Sequence, residues 1–523
     1  MSFSINVAHF LLGSVLLGFV AALRHRRPSS TPPGPAAWPL VGNLWDLPSS
    51  HPWITFAQWS ARWGNIMQIS LLGQPLVIVG SRQAAVDMLE RKTSMYSDRP
   101  RSTLGRLVGW VRLTALLPFG PRWRETRRLF TPALGSRASV VAFEPIMNVQ
   151  ISRFLPRIMK SPDQIADQVL RTVAGTTLMI LYGYNLHEDD SSFVDIARAA
   201  MPEFSAGFMP GAYLVDLLPI LQYVPSWIPG MEWKKLAKTW KRDTNAVLDV
   251  PYEFTKQEMA KGSKFPSFVS LCLGESPDAE REELVKTAAT SLYIGAVDST
   301  TSTVTTFFHV MAKYPEVQKR AQTEIDRVIG HNRLPLLQDR HQLPYVDAIV
   351  SEILRWKPAV PLGMPHRLQQ DDVHEGFYLR EGTIVVANIW QMLRDPDTYS
   401  QPEMFNPERF MSSEKHVAEM DPRKIIWGFG RRSCPGTSYV YYQELCLFQA
   451  LIEPLSGLYL ADTCIFLAIA QILATFNITT SEERDICDVD YTTGIISHPG
   501  PFECTAAPRS AKAEALINSV GLD

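Results

Sequence analysis

The chain has 523 residues, 46% hydrophobic and 20% charged, with a formal charge of −2. That balance can bury a large core and excludes a disordered chain, and the near-neutral charge excludes the basic excess of a nucleic-acid binder. Six cysteines without a CxxC pair exclude a disulfide-dense scaffold and a clustered zinc site, and fit a reducing, cytosol-facing environment.

In chain order, residues 5–23 form an apolar run broken only by Asn6, His9 and Ser14, and Arg24, His25, Arg26 and Arg27 follow. About nineteen helical residues nearly span a hydrocarbon core of roughly 30 Å. A basic cluster after the run belongs on the cytosolic side, whereas a cleaved signal carries its charges ahead of it. Residues 1–27 are therefore expected to be an uncleaved, single-pass membrane anchor. The proline-dense residues 28–37 predict a stiff, extended spacer holding the body off the bilayer. No later linker or internal repeat occurs, so residues 38–523 read as one domain.

That domain reads as mainly α with a small β part. Apolar residues at three- and four-residue spacing predict helices over 84–90, 307–329 and 346–356, and a long apolar one over about 285–312. Strand patterns cover 66–72, 76–79 and 383–387, with shorter ones at 377–379 and 502–506. Trp123 and Arg127 share one face of a helix, as do Glu352 and Arg355. Inside the long apolar stretch lies Gly295-Ala-Val-Asp298-Ser299-Thr300, where an acid beside hydroxyls suits a proton relay.

The strongest signal is Trp427-Gly-Phe-Gly-Arg-Arg-Ser-Cys434-Pro-Gly436. Its glycines let the backbone fold tightly around one sulfur. Arg431 and Arg432 favour a thiolate over a thiol, and a helix starting after Pro435 would aim its N–H groups at the same atom. An ionised, shielded cysteine is a suitable soft metal ligand.

This loop resembles the F-x-x-G-x-R-x-C-x-G ligand loop of the cytochrome P-450 monooxygenases, with Trp427 in place of Phe. Phe405-Asn-Pro-Glu-Arg409-Phe410, Met364-Pro-His-Arg367 and the Asp298 stretch resemble the family's other segments, and Pro-Ser-Trp-Ile-Pro (225–229) resembles fungal microsomal members. The resemblance implies one large haem domain with haem b, Cys434 being the axial ligand of its iron. Trp427 would pack against the haem, its indole N–H a candidate donor to the thiolate. Trp123, Arg127, His366 and Arg432 would hold the propionates. Glu352, Arg355 and Arg409 would form a buried structural triad. Asp298 and Ser299, with Thr300 sharing the work, would deliver protons to dioxygen. Ser299 stands where the family usually has Thr and lacks the methyl that restricts the rotamer.

The resemblance further implies a membrane-bound enzyme of the endoplasmic reticulum, its catalytic domain facing the cytosol. It would hydroxylate or epoxidise a small apolar substrate (terpenoid, polyketide or polycyclic aromatic) in secondary metabolism or xenobiotic oxidation. Electrons would come from a separate NADPH–cytochrome P-450 reductase, since no flavin or nicotinamide fingerprint occurs. Arg124, Arg128, Arg423 and Lys424 are expected to face outward as a basic patch for that donor. Substrate-facing segments are expected at 99–110, 204–213, 294–298, 360–364 and 494–496. Residues 437–457 separate the cysteine loop from Tyr459-Leu-Ala-Asp, which resembles the helix that follows the loop directly in the family. They read as an insertion or a retained intron. Two other readings are a haem-thiolate isomerase or dehydratase, and a non-catalytic or defective haem protein caused by that insertion.

Overall fold

The structure, a computed structural model, describes residues 31–134, 141–187, 190–209, 211–263, 265–274, 276–414, 416–435, 460–480 and 490–520. The predicted anchor (1–27) and the insertion (437–457) lie outside them. Among the described residues no helix is long and apolar enough to cross a membrane.

The sheet begins with a hairpin of β1 (Ile66–Leu71) and β2 (Gln74–Val79). Its two turn residues, Leu72 and Gly73, both have positive φ (50° and 85°), the turn geometry whose twist matches the flanking strands. Four short strands follow: β3 (His366–Arg367), β4 (Asp372–His374), β5 (Phe377–Leu379) and β6 (Ile384–Ala387). β6 runs parallel to β2 and antiparallel to β3, giving the order β1-β2-β6-β3. β7 (Phe476–Thr479) and β8 (Thr505–Pro508) form a separate pair, so the strand predicted at 502–506 begins later and finds a partner that local pattern did not mark.

The rest is helical, as expected. The longer helices are α1 (Pro121–Leu134), α2 (Glu144–Lys160), α3 (Ile165–Tyr182), α4 (Ser192–Gly207), α5 (Trp233–Ala260), α6 (Ala279–Lys313), α7 (Pro315–Val328), α8 (Pro344–Trp356) and α9 (Leu460–Thr475). α6, with 35 residues, runs about 50 Å through the core and packs against α1, α3, α5, α8 and α9. Asp278 starts it by accepting the Arg281 N–H at 2.7 Å. Pro315 ends it, because proline lacks the N–H to continue one helix but suits the first turn of the next. The helix predicted over 307–329 is therefore two helices. The one predicted over 84–90 is an α-turn, Arg82–Ala85, that widens into a π-turn, Val86–Arg91.

The described part of the proline-rich segment, residues 31–37, lies against the body. Gln68 donates its backbone N–H to Pro33 at 2.8 Å, and Asn43 Nδ2 donates to the Pro35 and Ala36 carbonyls, both at 3.3 Å. Prolines keep their carbonyl acceptors, so an extended proline-rich chain can still satisfy an edge strand. Gly34 permits the approach: a Cβ there would sit 2.3 Å from the Gln68 carbonyl oxygen.

Candidate functional site

The cysteine loop leaves a short helix, Arg423–Ile426, and bends through Gly428 (φ 76°) and Gly430 (φ 61°) into a 3-10 turn, Gly430–Arg432. The Cys434 N–H closes the bend on the Trp427 carbonyl at 2.9 Å. At Gly430 both backbone and space demand glycine, since a Cβ would fall 2.1 Å from the Leu89 carbonyl oxygen.

Cys434 borders a cavity of about 340 Å³ walled by Trp427 and Phe429 from the loop, by α6, and by Leu460, Ala461, Cys464 and Ile465 of α9. Two thiols reach it, but burial pushes Cys464 up to about 12, so that thiol stays protonated and acts as apolar wall. Among the described residues the lining holds Arg99, Arg127, Arg432 and His366 and no aspartate, glutamate or lysine.

These side chains are held by backbone carbonyls. Arg432 donates to Ser97 and Leu117, both at 2.7 Å, and to Thr114 at 3.3 Å. Arg99 donates to Ala115, Met364 and Pro365, each at 2.8 Å. The His366 ring sits at the start of β3 with Nδ1 2.8 Å from the Tyr96 carbonyl. Arg127 reaches the Ser433 carbonyl at 3.1 Å, and both it and Arg432 approach the Trp123 ring, at 5.9 and 4.7 Å. Burial pushes Arg432 down to about 10. Burial, then the neighbouring Arg432, lowers Arg99; burial, then Arg99, lowers His366. A dianionic ligand edge placed among them relieves each of these penalties. A thiol in a glycine bend beside three arginines and a histidine, with no acid in the described lining, fits haem b and its propionates. Arg99 was not anticipated as part of that rim; nothing in its local Asp-Arg-Pro context marks it as buried.

Opposite the loop, α6 presents Gly295, Ala296, Ser299, Thr300 and Thr303 to the cavity. Ser299 Oγ donates to the Gly295 carbonyl at 2.8 Å and Thr303 Oγ1 to the Ser299 carbonyl at 3.0 Å, so both hydroxyls are satisfied within the helix. Asp298 is buried but does not line the cavity. Its Oδ1 pairs instead with His498 Nε2 at 2.8 Å, a partner the sequence reading missed.

The family model "Cytochrome P450" matches residues 32–447. Cytochrome P450 monooxygenase 208 of Postia placenta is 46% identical over 493 residues, covering 94% of this chain and 92% of that protein. Cytochrome P450 monooxygenase claR of Ampulloclitocybe clavipes is 39% identical over 525 residues (99% and 94%), and ppsD of Aspergillus oryzae 35% over 514 (96% and 93%). The chain belongs to the cytochrome P450 family. It is a haem-thiolate monooxygenase, with haem b as cofactor.

In this P450 Glu352, Arg355 and Arg409 meet in the interior. Glu352 accepts from Arg355 at 2.7 and 2.8 Å, from Arg409 at 3.1 Å and from the Asn406 N–H at 2.8 Å. Arg355 spends its remaining donors on the Leu393 and Pro402 carbonyls, and Arg409 on the Ser400 and Met404 carbonyls and on a second carboxylate, Glu419, at 2.8 Å. Each side chain is at most 2% exposed, so the cost of burying three charges is met by a nearly complete set of partners.

One charge faces the other way from the expectation. Arg124, Arg128 and Lys424 are exposed, but Arg423 is turned inward. Arg423 donates to Asp462 of α9 at 2.7 Å, to Ser351 at 2.7 Å and to Asp347 at 3.1 Å, the last two on α8. Its helix has only four residues, too few for a periodic pattern to show which side is buried. Burial alone would raise Asp462, but Arg340 and Arg423 outweigh it and hold this carboxyl below its ordinary range. The basic patch thus loses one member, and the cysteine loop gains an anchor to α8 and α9.

Of the segments expected to face substrate, Arg99, Phe204, Ile294 to Ala296, Val360, Gly363, Met364, Ile495 and Ile496 line the cavity. Residues 100–110 do not; Leu113, Thr114 and Ala115 take their place.

Proposed function

We propose that this P450 inserts one oxygen atom of dioxygen into a small apolar substrate, with electrons drawn from NADPH through a separate membrane reductase. The observation that carries this reading is one cavity bordered by Cys434, a rim of three arginines and a histidine, and a hydroxyl-bearing helix. Haem, when bound, supplies dioxygen reduction and oxygen-atom transfer at its iron. Cys434 Sγ would hold the haem iron, with Trp427 lining the cavity beside it. Arg99, Arg127, Arg432 and His366 would bind the propionates, with Trp123 stacked against the two flanking guanidinium groups. Phe204, Ile294, Val360, Met364, Ile495 and Ile496 exclude water and leave an apolar substrate as the natural occupant, which favours terpenoid, polyketide or polycyclic aromatic molecules. Asp298, Ser299 and Thr300 would supply the two protons with which the second oxygen leaves as water.

Membrane association is part of the reading. Trp38, Leu40 and Trp45 are 47, 82 and 71% exposed, and Ile220, Tyr223 and Trp227 are 67, 76 and 81% exposed. The segment leading into the second group packs on the one leaving the first, since a Cβ on Gly211 would fall 2.7 Å from Leu47. Such apolar surface beside a predicted N-terminal anchor supports a body resting on the cytosolic face of the endoplasmic reticulum.

Expression of the holoprotein with an added NADPH–cytochrome P-450 reductase tests the proposal. A thiolate-type band in the reduced carbon-monoxide spectrum, and an oxygenated product from a panel of terpenoid and aromatic substrates, are expected. Haem binding without any oxygenated product across the panel would count against the substrate class; no thiolate band would count against the site.

We also propose that residues 437–457 are dispensable. Pro435 and Leu460 line the same cavity, so the described chain ends and resumes on one wall. Deleting 437–457 is expected to preserve or raise haem content, and a transcript that lacks the segment would identify it as a retained intron.

A further inference from the structure

α6 presents two different stripes. One carries the cavity-lining Ser299, Thr300 and Thr303. The other carries Asp298, Ser302 and Thr306 at four-residue spacing, so they stack along one face, and each meets the C-terminal loop. Asp298 Oδ1 pairs with His498 Nε2 at 2.8 Å, Ser302 Oγ donates to the Ser497 carbonyl at 2.6 Å, and Tyr491 OH reaches Thr306 Oγ1 at 3.4 Å. The acid and the hydroxyl adjacent to it in sequence therefore point in different directions, about 100° apart around the helix.

That separation poses a question of supply. The Asp298 side chain is 9% exposed and takes no place in the cavity wall, whereas His498 is 30% exposed and so touches both the buried carboxylate and solvent. The His498 backbone is clasped independently of its ring: its N–H donates to Thr492 Oγ1 at 2.9 Å and its carbonyl accepts the Thr492 N–H at 2.8 Å. With the loop already tied through Ser302 and Thr306, the imidazole is not needed as a strut.

We infer that His498 is the solvent-side positioning and proton-relay residue for Asp298. The inference rests on the proposed role of Asp298 in proton supply. Solvent protonates His498 Nδ1, the Nε2 proton passes to Asp298 Oδ1, and the ring is left neutral with its proton on Nδ1. Asp298 then releases that proton toward the Ser299 and Thr300 side of the helix and returns to the carboxylate. Exchange with solvent resets the imidazole tautomer, so one proton crosses per cycle and no charge accumulates.

The test uses the reductase-supplied holoenzyme with naphthalene as an apolar probe. The readouts are hydrogen peroxide released per NADPH oxidised and the ratio of rates in H₂O and D₂O. His498→Gln keeps a hydrogen-bond donor but cannot relay; it is expected to raise the peroxide fraction about threefold or more and to enlarge the solvent isotope effect, with haem content unchanged. Ser302→Ala cuts the neighbouring loop tie without touching the relay and is expected to leave the peroxide fraction near wild type. A wild-type peroxide fraction in His498→Gln, alongside a raised one in Asp298→Asn, overturns the relay and leaves Asp298 in place. An equal rise in Ser302→Ala and His498→Gln overturns it as well, since loop displacement then explains both. No change in Asp298→Asn removes the proposed role of Asp298 itself.

Discussion

The two sides of the cavity are built on different principles. On the Cys434 side, Glu352, Asp462, Arg355, Arg409 and Arg423 are each held by several partners, and the carboxylates sit between pairs of guanidinium groups. On the α6 side the hydroxyls bond within their own helix, the walls are apolar, and the C-terminal loop is attached by single contacts. An irregular coil around a metal ligand has no ladder of backbone hydrogen bonds to hold it, so dense charge networks hold it instead. A helix needs no such support, which leaves its cavity face free to serve the reaction and the substrate.

Substitutions that act on one side only sharpen that contrast. Cys434→Ser should have the largest effect, abolishing both the thiolate-type carbon-monoxide band and turnover. Glu352→Ala leaves the buried Arg355 guanidinium without its carboxylate and Arg409 with Glu419 alone, and should cost about 3–5 kcal/mol; loss of holoprotein and a lowered urea midpoint are the expected readings, and a stable holoprotein would break the comparison. Arg99→Leu removes one cation from the rim, and the loss of a charge-assisted bond of about 1.5–3 kcal/mol should speed haem transfer to apomyoglobin roughly tenfold or more. On the other side, Phe204→Ala should leave haem content unchanged and alter the distribution of oxygenated products, by about 1–3 kcal/mol of discrimination.

The smallest effect concerns pH. Glu203 on α4 is pushed up to about 7 by burial and by the neighbouring Asp243 on α5. A carboxyl raised in the folded state contributes stability that is complete below its unfolded value near 4.5 and is lost as pH rises through about 7. Glu203→Gln should remove that loss, so its thermal midpoint should exceed that of the wild type progressively between these values and by a constant margin above them. Identical pH profiles for the two proteins would refute this.

Much of the Cys434 side was legible in the sequence because its chemistry is local. Glu352 and Arg355 sit one helical turn apart, and the glycines around Cys434 mark a bend wherever they occur. Arg423 was misread because four helical residues carry no period, and its partners Ser351, Asp347 and Asp462 come from two other helices. Arg99 was placed in a substrate-facing segment, and its role in the rim emerged only from its carbonyl partners, two of them more than 260 residues away. The break at Pro315 was readable in principle, since proline cannot continue a helix, but the apolar spacing on either side masked it.

By itself the sequence determined the glycine-rich cysteine loop, the Glu352–Arg355 pair, the long central helix and the family to which the chain belongs. Each of these rests on residue types at short, fixed spacing, which covalent geometry carries directly into space. Only the tertiary structure decided which way Arg423 turns, that Arg99 joins the cationic rim, and that Asp298 meets His498 across 200 residues. A buried charge takes its environment from whatever segments fold around it, and those segments are distant in the chain.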